Sequence, residues 1–157
     1  FDNICRWDEE SGESVPVLEG HWKFRFDVQY EDASLTLGSG ETFTQDGMTF
    51  TIDSITLSPV AMKVDYTADE EVVWSGNESG RQSDEDAEQM ARYMENVEIL
   101  LTRTDGTVMD LSSSGGSISP EDGTTICSKS QVFSEIIPME EMASISVGGV
   151  VFPIQAE

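Results

Sequence analysis

Along residues 21–30 apolar and polar side chains alternate strictly, with Trp22, Phe24, Phe26, Val28 and Tyr30 on one face and His21, Lys23, Arg25, Asp27 and Gln29 on the other. A helix would scatter those aromatics around its circumference, so the period of two predicts a half-buried β-strand. The same alternation returns in Val60, Met62, Val64 and Tyr66 after an interruption at Ser58-Pro59. Asp46-Gly47 supplies the positive φ angles of a type I′ turn, which sets Gln45 opposite Met48 and Phe43 opposite Phe50. Beyond Phe50 and Ile52 the apolar positions change phase to Ile55 and Leu57, and a β-bulge near Asp53-Ser54 restores the register. Gly148-Gly149 predicts a second hairpin, with Val147 opposite Val150, Ile145 opposite Phe152 and Ala143 opposite Ile154.

The rest of the chain follows from turn and helix signals. Asp105-Gly106, taken as a two-residue turn, pairs Thr102 with Met109 and Leu100 with Leu111. Ser83 is a good N-cap, Asp84, Glu85 and Asp86 suit a helix dipole, and Ala87, Met90, Ala91 and Met94 fall at helical spacing. That predicts one short helix ending before Val97, its apolar stripe packed on a sheet or offered to a partner. Residues 75–83 and the Ser/Gly-rich residues 112–123 read as loops, and residues 124–133 as a strand of weak alternation. Residues 136–142 read as irregular or as a single helical turn. Roughly eight strands and one helix predict an all-β, immunoglobulin-like β-sandwich. The expected organisation is a single domain over residues 1–157, with a first strand and acidic loop in 1–19 and the core in 20–157.

Charge narrows the partners. The chain carries 8 Lys and Arg against 31 Asp and Glu, a net charge of −23. Such a field repels phosphate backbones and anionic bilayers, so nucleic acid is excluded and a membrane could be reached only through an anchor. No window approaches the roughly 18 apolar residues of a membrane span. The chain opens at Phe1, without a Met and inside a strand-like run, and we expect a piece of a longer protein whose anchoring segment lies upstream.

Candidate chemistry is sparse. His21 is the one histidine, neither cysteine nor any serine has a nucleophile signature, and no G-x-S-x-G turn is present. Abundant carboxylates offer many pairs but no separations. The acidic runs at Asp8-Glu9-Glu10, Asp69-Glu70-Glu71 and Asp84-Glu85-Asp86 lack a calcium-loop pattern and read as solvated turns or helix starts. We therefore expect no catalytic residue, no cofactor and no metal site. Cys5 and Cys127 are either unpaired buried residues or, in an oxidising compartment, a bridge worth about 4 to 5 kcal/mol on the chain-entropy estimate. His21, Lys23 and Arg25 form the one local reversal of charge and are expected to meet carboxylates on neighbouring strands, or else to face a ligand. Together with Trp74 they make the candidate interaction surface. Trp7 and Trp74 lie in polar surroundings, as platforms for a sugar or peptide or as half-buried edge aromatics.

Gly20-x-Trp22-x-Phe24-x-Phe26, the strand through Ser58-Pro59 to Tyr66, Phe133, and the closing hairpin from Ile145 to Ile154 give the chain a resemblance. It resembles the extracytoplasmic β-sandwich region of a family of uncharacterised, anti-sigma-factor-like membrane proteins of Gram-positive bacteria. The resemblance implies a short cytoplasmic segment, one membrane span and a sandwich outside the cell that reports on envelope conditions, with no catalytic residues to carry over. The helix predicted after Ser83 departs from the shorter connection expected there. The functional expectation is a non-enzymatic sensing or interaction domain whose partner is a protein or cell-envelope ligand. The alternative is a secreted or surface module binding carbohydrate or cell-wall polymer, with a carboxylate hydrolase third.

Overall fold

The computed structural model describes residues 2–21, 23–25, 27, 33–38, 40–76 and 82–154. The chain separates into two compact units, Phe1–Asp32 and Ala33–Glu157.

The first unit is an antiparallel hairpin of β1 (Asp2–Asp8) and β2 (Glu13–His21), in register at Trp7 with Ser14, Cys5 with Pro16, Ile4 with Leu18 and Asp2 with His21. The second of these strands was expected to be acidic loop. The acids instead make the turn: Asp8 Oδ1 accepts from the Glu10 and Ser11 amides at 3.1 and 2.9 Å, and Gly12 takes φ +67°. A short side chain that captures following amides is what an Asx-type turn requires.

Residues 22–30 were expected to form a strand. Lys23, Phe24, Arg25 and Asp27 carry no strand and are exposed, and Trp22, Phe26 and residues 28–30 lie outside the described residues. Alternation says which face a strand would bury, whereas strand formation needs a ladder to pair with.

Among its described residues the second unit holds ten strands, in sequence β3 (Leu35–Leu37), β4 (Glu41–Gln45), β5 (Met48–Ser58), β6 (Ala61–Ala68), β7 (Ile99–Arg103), β8 (Val108–Asp110), β9 (Gly115–Glu121), β10 (Thr124–Val132), β11 (Met142–Val147) and β12 (Val150–Pro153). A larger sheet runs β3-β5-β6-β10-β9, with β4 also pairing with β5, and a smaller one runs β12-β11-β7-β8. Every pairing is antiparallel. Phe50, Ile52, Ile55, Leu57, Met62 and Val64 from the larger sheet and Ile99, Leu101, Ile145 and Val147 from the smaller are fully buried in one apolar cluster. The fold class is therefore all-β and sandwich-like, with one short α-helix among the described residues, α1 (Asp84–Met90).

Local turn chemistry decides most of the register. Asp46 and Gly47 have φ of 51° and 82°, Gln45 faces Met48, and Phe43 stacks on Phe50 with centroids 4.9 Å apart. The bulge falls between Ile52 and Ser54, and it returns Ile55 and Leu57 to the core. Val147 faces Val150 and Ile145 faces Phe152 across Gly148-Gly149. At Asp105-Gly106 the pairing shifts by one, with Leu101 opposite Met109 and Leu100 opposite Asp110. The cause is a third loop residue: the Arg103 amide pairs with the Thr107 carbonyl at 2.8 Å, and Gly106 takes the left-handed position at φ +87°.

The second half of the expected loop 112–123 is a strand. β9 is built of Gly, Ser, Ile, Pro and Glu, poor strand formers apart from Ile118, and it exists because β10 pairs along all of it. Asp122 and Gly123, with φ of 42° and 88°, form the two-residue turn between them.

Candidate functional site

β10 puts polar groups where a core strand puts apolar ones. Its inward positions are Thr125, Cys127 and Lys129, all fully buried, while the apolar Ile126 and Val132 face out. Two of these groups, Thr125 and Lys129, answer backbone demands of the segment between β6 and β7. Thr125 Oγ1 donates to the Glu70 carbonyl at 2.7 Å and accepts from the Val72 amide at 2.8 Å, which straps the chain leaving β6 onto the sheet.

That segment then enters α1. Ser83 caps it by accepting from the Asp86 amide at 3.1 Å, and the Asp86 carboxylate reaches back to the Ser75 amide and hydroxyl, both at 2.8 Å. These hydrogen bonds from Ser75, followed by Ser83, hold the Asp86 carboxyl below its ordinary pKa. The helix continues as a π-helical turn, Ala91–Glu95, in which the Asn96 amide donates to the Ala91 carbonyl at 2.9 Å. A widened turn leaves carbonyls without their usual helical donors. Side chains of the larger sheet supply them. Tyr66 Oη donates to the Tyr93 carbonyl at 2.7 Å, and Lys129 Nζ donates to the Met94 carbonyl at 2.8 Å, the Val97 carbonyl at 3.2 Å and the Ser112 carbonyl.

Lys129 thus spends all three ammonium donors on main-chain oxygens. Burial pushes its pKa down to about 8, while Asp110 and Glu95, and then Cys127, act to raise it. Asp110 is itself held below its ordinary pKa by the hydrogen bonds of Ser112. Burial raises the Cys127 thiol to about 12, and it also raises the neighbouring Tyr66 hydroxyl.

Beside this junction lies a pocket of about 230 Å³, walled by Met90, Met94 and Glu95 on one side and residues 112–116 on the other. Ser114 Oγ is buried with no hydrogen-bond partner. Gly116 stands opposite Lys129 in the ladder, and a Cβ there would lie 1.8 Å from the Ser128 carbonyl oxygen and 2.6 Å from Met94 Cε. The loop can close on the helix only with glycine at this position.

The residues singled out from the sequence fall elsewhere. His21 ends β2, is exposed, and hydrogen-bonds Asp2 across the hairpin. Lys23 and Arg25 were expected to meet carboxylates on neighbouring strands; both are exposed and make no ion pair among the described residues. Residues 23–25 and 27 belong to no ladder that would bring such carboxylates alongside. Trp74 belongs to the second unit and is 38% exposed, between the Val72 and Ser75 attachments, and Trp7 on β1 is 64% exposed. Both cysteines are free, Cys5 exposed in the first unit and Cys127 buried in the second. The acidic run at Asp69-Glu70-Glu71 is structural: Asp69 accepts from the Thr49 amide, Glu71 from the Gly123 amide, and Glu70 pairs with Arg92.

Sequence reasoning missed Lys129. The signal was the weak alternation of residues 124–133, since a strand whose apolar positions disagree in phase with its neighbours has turned polar groups inward. No helix among the described residues is long and apolar enough to cross a membrane. The chain matches no protein family, no curated protein and no solved structure.

Proposed function

We propose that the chain is a non-enzymatic interaction or sensing domain that works outside the cytoplasm, an immunoglobulin-like sandwich of the anti-sigma-factor-like kind tethered to the plasma membrane in its full-length protein. The observation that carries this reading is the disposition of polar and apolar groups. The buried ammonium of Lys129 is committed to three carbonyls, whereas Ile4, Trp7, Val17 and Leu18 stand exposed on the first hairpin. A hairpin with apolar side chains turned outward suits recognition of a partner. The net charge of −23 favours a partner that is basic or presents cations.

The exposed thiol gives a direct test. In intact cells producing the full-length protein, a membrane-impermeant maleimide should label Cys5, and deleting the sandwich should change transcription from promoters of an extracytoplasmic sigma factor. Labelling only after lysis, or no change in transcription, overturns the reading.

One observation favours a second reading, a surface module for carbohydrate or cell-wall polymer. Trp7 and Trp74 both present ring surface to solvent. Binding on a glycan array that is lost in Trp7→Ala or Trp74→Ala would establish it in place of the first.

A further inference from the structure

Among the described residues β9 pairs with β10 alone, so its other side is an open edge of the larger sheet. The hairpin turn fixes which backbone groups that edge presents. Glu121 and Thr124 flank the two-residue turn Asp122-Gly123 and form its hydrogen-bonded pair, and such pairs alternate along an antiparallel ladder. Ser119 and Ser117 therefore direct their amides and carbonyls to β10, and Gly116 and Ile118 direct theirs outward. Pro120, with no N–H, occupies an outward position where it forfeits no ladder bond. Apart from the half-buried Ile118, residues 115–121 are exposed.

The edge begins at the pocket. Residues directly opposite each other on paired strands share a face. A residue laid against Gly116 would therefore send its side chain to the side on which Met94 Cε lies 2.6 Å from a Cβ position. That space is the pocket of about 230 Å³, which has methionine side chains on one wall and Ser114 Oγ buried without a partner on the other. An aliphatic side chain meets the methionines, and a peptide backbone beside it supplies the hydroxyl with a partner. The exposed charges at the two ends of this edge are acidic, Glu95 at the pocket and Glu121 and Asp122 at the far end, while the Lys129 ammonium beside Gly116 is buried and committed to carbonyls.

We propose that β9 and the pocket at its start form a docking site for an extended, basic segment of a partner protein, which adds to the sheet as a further strand and seats an aliphatic side chain against Met90 and Met94. Backbone pairing supplies affinity and the pocket supplies selection. A second copy of this chain is the disfavoured occupant, because it would bring its own −23 charge to an acidic edge. The proposal rests on reading the chain as an interaction domain.

The probe is the acetylated and amidated peptide Lys-Val-Lys-Leu-Lys-Val-Lys, added to the folded chain while amide hydrogen exchange is followed by NMR. A control peptide carries N-methyl groups on its Val and Leu residues, which removes the donors that would face β9 and keeps every charge. The parent peptide should slow exchange at Gly116 and Ile118 by about tenfold or more, and both N-methylation and Met90→Trp, which fills the pocket, should weaken binding by about tenfold. Equal binding of the two peptides, protection confined to other amides, no binding at millimolar peptide, or protection of the same amides by self-association without peptide would each overturn the proposal. Surface labelling of Cys5 in cells together with indifference to the peptide defeats strand addition alone, and labelling only after lysis defeats the placement outside the cytoplasm while leaving this measurement intact.

Discussion

The Tyr66 hydroxyl donates to the Tyr93 carbonyl at 2.7 Å, a buried bond from the larger sheet to the first widened turn after α1. Its neighbour Met94 Sδ lies 3.4 Å from the same oxygen. Tyr66→Phe keeps the ring that packs edge-on against Phe50 and removes only the donor. A buried carbonyl left unpaired costs about 1 to 3 kcal/mol, so the urea midpoint should fall by that equivalent with the slope unchanged. An unaltered midpoint would mean that the turn finds another donor and does not depend on the sheet.

Lys129 and Cys127 make stability depend on pH in opposite senses. The lysine titrates near 8 when folded against 10.5 in the free side chain, so between those values the unfolded chain holds the extra proton and stability rises with pH. The full effect is about 3 kcal/mol. Cys127 moves from 9.0 to about 12, so above pH 9 the unfolded thiol ionises first and stability falls. Melting midpoints should therefore climb from pH 8 to 9 and then level or decline. Cys127→Ala should extend the climb towards pH 10.5, and Lys129→Met should abolish it. A wild-type midpoint that falls steadily from pH 8 would show that the three carbonyls hold the ammonium charged well above 8.

Where the chain was legible, the instructions were local. Asp46-Gly47 and Gly148-Gly149 each combine an obligatory backbone conformation with apolar partners no more than seven residues apart, and both registers follow from that. Asp105-Gly106 carries the same signal, yet the Asp105 carboxylate takes the Thr107 amide at 2.8 Å and admits a third residue into the loop, a choice that a dipeptide does not reveal. β9 and β2 were illegible because Gly, Pro, Ser and Glu interrupt the strand signal of Ile118 in the one and Val15 and Val17 in the other, and each strand is specified by its partner. Lys129 was illegible for a related reason, since its acceptors lie 17 to 35 residues away on other elements. The candidate surface of His21, Lys23, Arg25 and Trp74 was drawn from side-chain type, and among the described residues only His21 meets a cross-strand carboxylate.

The basic strip yields a prediction opposite to the sequence expectation. With Lys23 and Arg25 exposed, outside any strand and in no ion pair among the described residues, Lys23→Ala and Arg25→Ala should each change stability by less than about 0.5 kcal/mol. Denaturant curves that overlay the parent would agree. A loss above 1 kcal/mol would restore the cross-strand role.

Gly148 and Gly149 separate conformational strain from steric conflict within one turn. Both have positive φ, 55° and 83°, so alanine at either pays the left-handed penalty of about 1 to 2 kcal/mol. At Gly149 a Cβ meets open space, and the cost should stop there. At Gly148 it would lie 2.3 Å from Phe43 Cδ2, inside the ring that stacks on Phe50 and joins the two sheets through the shared core. Phe43 must then rotate or the hairpin must lift, either of which disturbs close packing, so Gly148→Ala should cost a further 1 to 3 kcal/mol or so. The double variant Gly148→Ala with Phe43→Leu should recover part of that extra loss, because the smaller side chain vacates the contested space. If the two alanine variants have equal midpoints, the Phe43 ring does not press on the turn and the link between the sheets at this corner is looser than the contact implies.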